Sequence, residues 1–433
     1  LEQNNLSIRD EGGVRAIVDA MRSFPSSVGV QASACAALAD LSARDKIRAD
    51  ILHIGGVDAV IASLQKFENN RRIQEEACRV LCYLFSEVKA QDEDAPGSLA
   101  VSVAIRALIS HQEDEGVQEA ACSLLAVLAV DVSLHNAMLS AGAIDQVARA
   151  MTRHSRQKTL QEQCCAVLRN LSASASNQDA ILRSDAVNAV IRSMIAHSDS
   201  ETVQAEACCM FWNLACDSKM DAASIIDVGE IKYIIVAMQN HPESANVQEV
   251  ACGALWGLIS TSDEIKEAVA NGGGVDAMMC SMFMHEHNPD VLEKACGVFS
   301  SLSMDRRHAE ALAEAGIIGL IAETMRNNIA SFELVEYGCL LLRNMALFSA
   351  NYAEEASSAC STILRAMCEH SDAAGLQREA CGALWSLAAN SETCKERILY
   401  SDGVNVITRT MQNFSSVGDV QVEARGAMSQ LVA

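Results

Sequence analysis

Every 42 to 44 residues this chain returns to the same short sentence, with a cysteine in the middle of it. "IQEEACRVLCYLFS" from Ile73, "VQAEACCMFWNLAC" from Val203, "VQEVACGALWGLIS" from Val247 and "LQREACGALWSLAA" from Leu376 are four of the copies. Aligned on that anchor, the cysteine stands at Cys35, Cys78, Cys122, Cys165, Cys208, Cys252, Cys296, Cys339 and Cys381, and the tenth copy has Arg425. Six residues after the anchor nine copies have Leu and one has Met345; four residues before it eight have Gln. Fourteen residues before it all ten have Met or Leu, from Met21 to Met411. Offsets held this tightly through ten copies are an internal repeat.

Each unit reads as three helices. The apolar positions of the last fall one before, at, three after and six after the anchor, which share one helical face. The middle helix carries the same period: in "GAIDQVARAM", Ile144, Val147 and Met151 stack. A short first helix precedes it, closed by a turn residue such as Gly55, Gly142, Gly229 or Gly316. Pro25, Pro242 and Pro289 fall between middle and last helices, where a break is needed. The third unit departs: "SEVKAQDEDAPGSLA" replaces its first helix and reads as an acidic loop broken at Pro96-Gly97. The expected fold class is all-α, a single α-solenoid over residues 1–433 with about ten three-helix repeats.

At the anchor, cysteine acts as a small hydrophobe where one repeat packs on the next. Successive anchors are expected roughly 10 Å apart, the helix packing distance, too far for disulfides. Seventeen reduced cysteines in so long a chain imply a reducing compartment, the cytoplasm or nucleus. Cys360 and Cys394, off the ladder, are expected to be the accessible thiols.

The frame "IQEEACRVLCYL" and its variants "AVLRNLS" and "FWNLA" resemble the third helix of armadillo repeats, as in the β-catenin, importin-α and vacuolar scaffold families. HEAT-type repeats are the nearest alternative, but the short first helix with its Gly favours armadillo. The resemblance covers all ten units. It implies a right-handed superhelix whose third helices line a concave groove that binds protein segments. It also implies that the position five after the anchor holds Asn that pairs with a bound peptide backbone. Here that position holds Asn170, Asn213 and Asn344, a partial ladder. Importin-α has Trp four residues before its Asn. This chain has Ala166, Cys209 and Leu340 there, and places Trp212, Trp256 and Trp385 one residue before the Asn position instead. That counts against an importin-α-like nuclear transport receptor, the first alternative reading.

Three residues before the anchor stand Glu75, Glu119, Glu162, Glu249, Glu293 and Glu336, with Arg378 the basic exception. Such a row attracts a basic segment; Glu is also a good helix former near a helix N-terminus. Arg169 and Arg343, just before two of the Asn residues, either take a partner's carboxylate or pair with neighbouring repeats. The net charge of −23 argues against nucleic acid and anionic membranes as partners and favours a basic protein or peptide. No apolar run reaches membrane-spanning length, and "LEQNNLSIRDEGG" holds no signal core.

Catalytic signals are weak. "HEH" at His285–His287 lacks a third ligand at metal spacing, and "NGGGV" from Asn271 lacks the strand a dinucleotide fingerprint requires. Cys164-Cys165 and Cys208-Cys209 form no CxxC framework. No cofactor, metal or enzymatic activity is expected. The chain reads as a protein-interaction scaffold or adaptor whose acidic groove holds an extended or helical basic segment. The second alternative, a regulatory armadillo domain of a larger enzyme, fits a chain that does not begin with Met. Among the groove candidates, the stretch from Asn170 and Asn213 to Trp256 is favoured as the contact site.

Overall fold

The computed structural model describes residues 12–86, 96–217, 225–260 and 262–432. Among these every regular element is helical. Packing divides the chain into two compact units, Leu1–Met220 and Asp221–Ala433, which hold repeats 1–5 and 6–10.

Repeat 2 shows the plan: a first helix Asp45–His53, a middle helix Gly56–Lys66 and a third helix Arg71–Phe85. The turn between first and middle helices needs a left-handed backbone. Gly55, Gly142, Gly273 and Gly316 supply it with φ between 72° and 83°, and Asp402 does so at 64° in repeat 10. Gly229 does not. It lies in a 3-10 turn, Val228–Glu230, because the middle helix of repeat 6 is entered through that turn instead. Residues 87–95, most of the acidic stretch of repeat 3, lie outside the described residues, but the expected loop does not extend past Pro96: Gly97–Ser110 is already the middle helix. Pro289 opens the third helix of repeat 7 at a position where no backbone N–H is needed.

Third helices stack on one another in a continuous row within each unit. The nine anchor cysteines lie in these two rows with at most 1% exposure, while Arg425, at the end of its row, is exposed. Burial pushes the thiols of Cys165, Cys252 and Cys381 up to about 12, so they stay protonated and inert. Anchor does not meet anchor as a bonded pair, yet Cys164, one residue off the ladder, places its sulfur 3.4 Å from that of Cys122. Cys360 and Cys394 are not the accessible thiols. Both are fully buried, Cys394 donating to the Ala353 carbonyl at 3.1 Å, because the middle helix of repeat 9 packs on the first helix of repeat 10. The exposed cysteines are Cys216, Cys280 and Cys368.

Two polar ladders explain spacings the apolar pattern leaves open. The Gln four residues before the anchor, buried in every copy but Gln421, clips the end of its own middle helix. Gln31 Nε2 donates to the Met21 and Phe24 carbonyls at 2.8 and 3.0 Å, and Gln377 to those of Met367 and His370 at 2.8 and 3.0 Å. Gln74, Gln118, Gln161, Gln204, Gln248 and Gln421 repeat the pair. These bonds satisfy helix C-terminal carbonyls that would otherwise be buried without a donor. The second ladder crosses repeats. His111, His154 and His197 each donate Nε2–H to a carbonyl of the preceding repeat, at 2.7 to 2.8 Å. His285 does the same to Pro242 and His370 to Ile329, both at 2.8 Å. The first histidine of "HEH" is therefore a clip between repeats.

Candidate third-helix binding face

The third helices are held in register by their caps. Asn70 accepts from the Ile73 N–H at 3.1 Å, Asp114 from Val117 at 3.0 Å and Ser244 from Val247 at 3.2 Å. With the apolar stripe turned inward, the positions three before and one, four and five after the anchor reach the opposite side. Every candidate carboxylate of the row is partly exposed there: Glu75, Glu119 and Glu162 in the first unit, Glu249, Glu293 and Glu336 in the second.

Four of these carboxylates also touch the next repeat. Glu119 accepts from Thr159 Oγ1 at 2.9 Å and Glu162 from Ser200 Oγ at 2.7 Å, both in the first turn or cap of the following third helix. Glu75 lies over Gly116 and Glu336 over Gly375, each in the opening turn of its neighbour, so close that a Cβ on either glycine would stand within 3 Å of the carboxylate. The partly positive helix N-terminus favours a carboxylate in that place. Glu249 and Glu336 are nevertheless held above the usual carboxylate range, first by burial, then for Glu249 by Asp290 and for Glu336 by Glu379 and Glu333, with Lys294 and Arg378 opposing. Glu293 pairs with Lys294 at 2.7 Å.

Both candidate arginines are occupied within the chain. Arg169 grips Glu206 with two nitrogens, at 2.6 and 3.3 Å. Arg343 reaches Glu379 at 3.4 Å and, two repeats on, Glu423 at 2.9 Å. The three asparagines likewise spend their amide N–H groups on the preceding repeat. Asn170 donates to the Ala126 carbonyl at 3.2 Å, Asn213 to Arg169 O and Ser172 Oγ at 3.2 and 3.1 Å, and Asn344 to Ser300 O and Ser303 Oγ at 3.4 and 3.0 Å. For Asn213 and Asn344 that uses both donors, so any pairing with a bound backbone falls to the side-chain oxygen.

The tryptophans pack across seams. Trp256 lies flat on Gly297 of the next third helix, where a Cβ would stand 2.7 Å from the indole, and meets the edge of Tyr337 with centroids 4.9 Å apart. Lys294 sits 5.9 Å from its ring. Trp385 covers Gly426 in the same way, and Arg343 covers Gly382. Trp212, at the corresponding position of repeat 5, is partly exposed at the end of the first unit. The favoured stretch thus falls in both units: Asn170, Asn213 and Trp212 in the first, Glu249 and Trp256 in the second.

Sequence reasoning passed over an open cleft of about 440 Å³ between the third helices of repeats 2 and 3. Glu75, Arg79, Cys82 and Tyr83 form one wall, and Glu119 and Ser123 stand on the other. The signal was available: the pair "four after the anchor, one after the next anchor" reads Trp256/Gly297 and Trp385/Gly426 elsewhere, but Cys82/Ser123 here.

Residues 6–180 and 57–422 match the family model described as the LRRK2 ARM repeat. The chain belongs to the LRRK2 ARM repeat family. Its armadillo fold is shared with a solved chain from a structure of the cadherin and beta-catenin interaction, one controlled by a phosphorylation switch. That match covers 100% of this chain and 96% of the other, with a TM-score of 0.68 and 17% identity. At that identity the likeness is one of fold. No curated protein matches this chain. Among the described residues of this ARM repeat protein, no single helix is long and apolar enough to cross a membrane.

Proposed function

We propose that this ARM repeat chain is a non-enzymatic interaction module whose third-helix row holds an extended or helical basic segment of another protein. The observation that carries this reading is the repetition of partly exposed carboxylates at one position on three consecutive third helices in each unit: Glu75, Glu119 and Glu162, then Glu249, Glu293 and Glu336. Crowding by burial and like charge already holds Glu249 and Glu336 above their usual range, and an incoming cation relieves it. The arginines and asparagines, engaged inside the chain, act as scaffolding for this surface. The binding chemistry is acidic, which sets the partner class as basic protein or peptide.

The test is the binding of short basic, neutral and acidic peptides to the full chain by fluorescence polarisation. The basic peptide should bind best and weaken as salt shortens the screening length from about 10 Å to about 3 Å. Reversing Glu249 and Glu293 to Lys should slow association. Binding that ignores both salt and charge reversal would leave the row a helix-capping surface only.

A further inference from the structure

The chain fills several of its own seams with a flat side chain laid on a glycine. Trp256 does so on Gly297, Trp385 on Gly426 and Arg343 on Gly382. Between repeats 2 and 3 the same two positions carry Cys82 and Ser123, both small, and the slot stands open as the cleft of about 440 Å³. An unfilled slot at the positions that Trp256 and Arg343 cover elsewhere suits a flat side chain brought by a partner. What surrounds it decides which. Glu75 reaches in from one wall and Glu119 from the other, and the Tyr83 ring lines the same space. The basic group facing the cleft, Arg79, is directed at Glu76 of its own helix at 3.5 Å.

We propose that this cleft receives the guanidinium of an arginine on an extended segment of the partner. The proposal rests on the reading of the row as a binding site for a basic segment and names one subsite within it. The chain itself carries the precedent: Arg343, laid over Gly382, is gripped by Glu379 and Glu423, and Arg169, at the same repeat position, by Glu206. A planar guanidinium fills a slot, stacks on an aromatic face and takes a carboxylate with two donors; the compact lysine ammonium does none of these as well.

The experiment uses the full chain and a short fluorescein-labelled Gly-Ala peptide with arginine at every third position, beside its lysine and citrulline counterparts. The arginine peptide should bind about tenfold or more tighter than the citrulline peptide, the worth of a hydrogen bond to a charged group, and clearly tighter than the lysine peptide. Cys82→Trp, which closes the slot as Trp256 closes its own, should remove this preference, while Cys82→Ser, which keeps it open, should preserve it. Glu75→Gln with Glu119→Gln should weaken the arginine peptide toward the citrulline level. Circular dichroism melting confirms that each variant is folded. Equal binding of arginine and lysine peptides, or a preference unmoved by Cys82→Trp, overturns the subsite while salt-dependent binding through Glu249 and Glu293 would still uphold the row. Failure of every basic peptide to bind overturns both.

Discussion

The seam between repeats 6 and 7 and the seam between repeats 2 and 3 are built on the same helix positions and end differently. In the first, Trp256 spans the joint, covers Gly297 and leans on Tyr337, so the surface is closed. In the second, Cys82 and Ser123 leave the joint open. The backbone plan is common, and the size of two side chains decides whether a seam becomes core or cleft. In a solenoid, then, a tryptophan on the outer face of a third helix is as readily a wedge between repeats as an anchor for a partner.

Removing a wedge should have the largest effect. Trp256→Ala should cost about 2–4 kcal/mol, toward the low end for a lost Trp because the ring is partly exposed. Trp256 touches the third helices of both following repeats, so the loss should appear as faster amide exchange in 289–302 and 332–348 before it appears elsewhere. An unchanged exchange pattern would return Trp256 to the list of free anchors. Next in size, Gly297→Ala forces a Cβ to 2.7 Å from the indole and should destabilise by about 1–3 kcal/mol in urea unfolding. Gly319→Ala, with nothing within 4 Å, should instead gain up to about 1 kcal/mol. Two glycines in helices of the same unit moving in opposite directions would sharpen the rule.

Asn213→Ala should cost about 1 kcal/mol of stability, since its amide holds the Arg169 carbonyl and Ser172. A variant that melts like the parent but loses peptide binding would make Asn213 a contact residue after all. The smallest effect concerns pH. Glu336 has a folded value raised above its unfolded one, so the folded chain binds that proton more readily. Its contribution should therefore favour folding as pH falls through the raised value and be lost as pH rises above it. Glu336→Gln should flatten the stability curve in that window, and an unaltered curve would show the carboxylate to be better compensated than its neighbours suggest.

The helices, their order and the burial of the anchors were legible because apolar period is a local property: three, four and seven residues suffice to place a face. The partners were not. Arg343 meets Glu423 across eighty residues, and no window of sequence joins them. Cys360 and Cys394 misled for a similar reason, since each lies off the apolar ladder and is covered only by the packing of repeat 10 on repeat 9. Gly229 shows the limit at a turn: the residue type permits a left-handed backbone, but Val228–Glu230 takes a 3-10 path that does not require it. The Glu row was legible as a row, while its seating on the next helix N-terminus was visible only once Thr159, Ser200 and the glycines Gly116 and Gly375 stood beside it.

The glutamine clip has a consequence for how such a chain changes over time. Both carbonyls that Gln161 holds, at Met151 and His154, belong to its own repeat, ten and seven residues away. A copied segment of one period therefore carries its internal fastening with it, and a lengthened array needs adjustment only at the two joints. Repeats 7 and 8 carry Leu292 and Val335 in place of the clip and still stand in the row. Duplication followed by loss of individual fastenings is a tolerable history for this architecture, and array length can drift while each module stays intact.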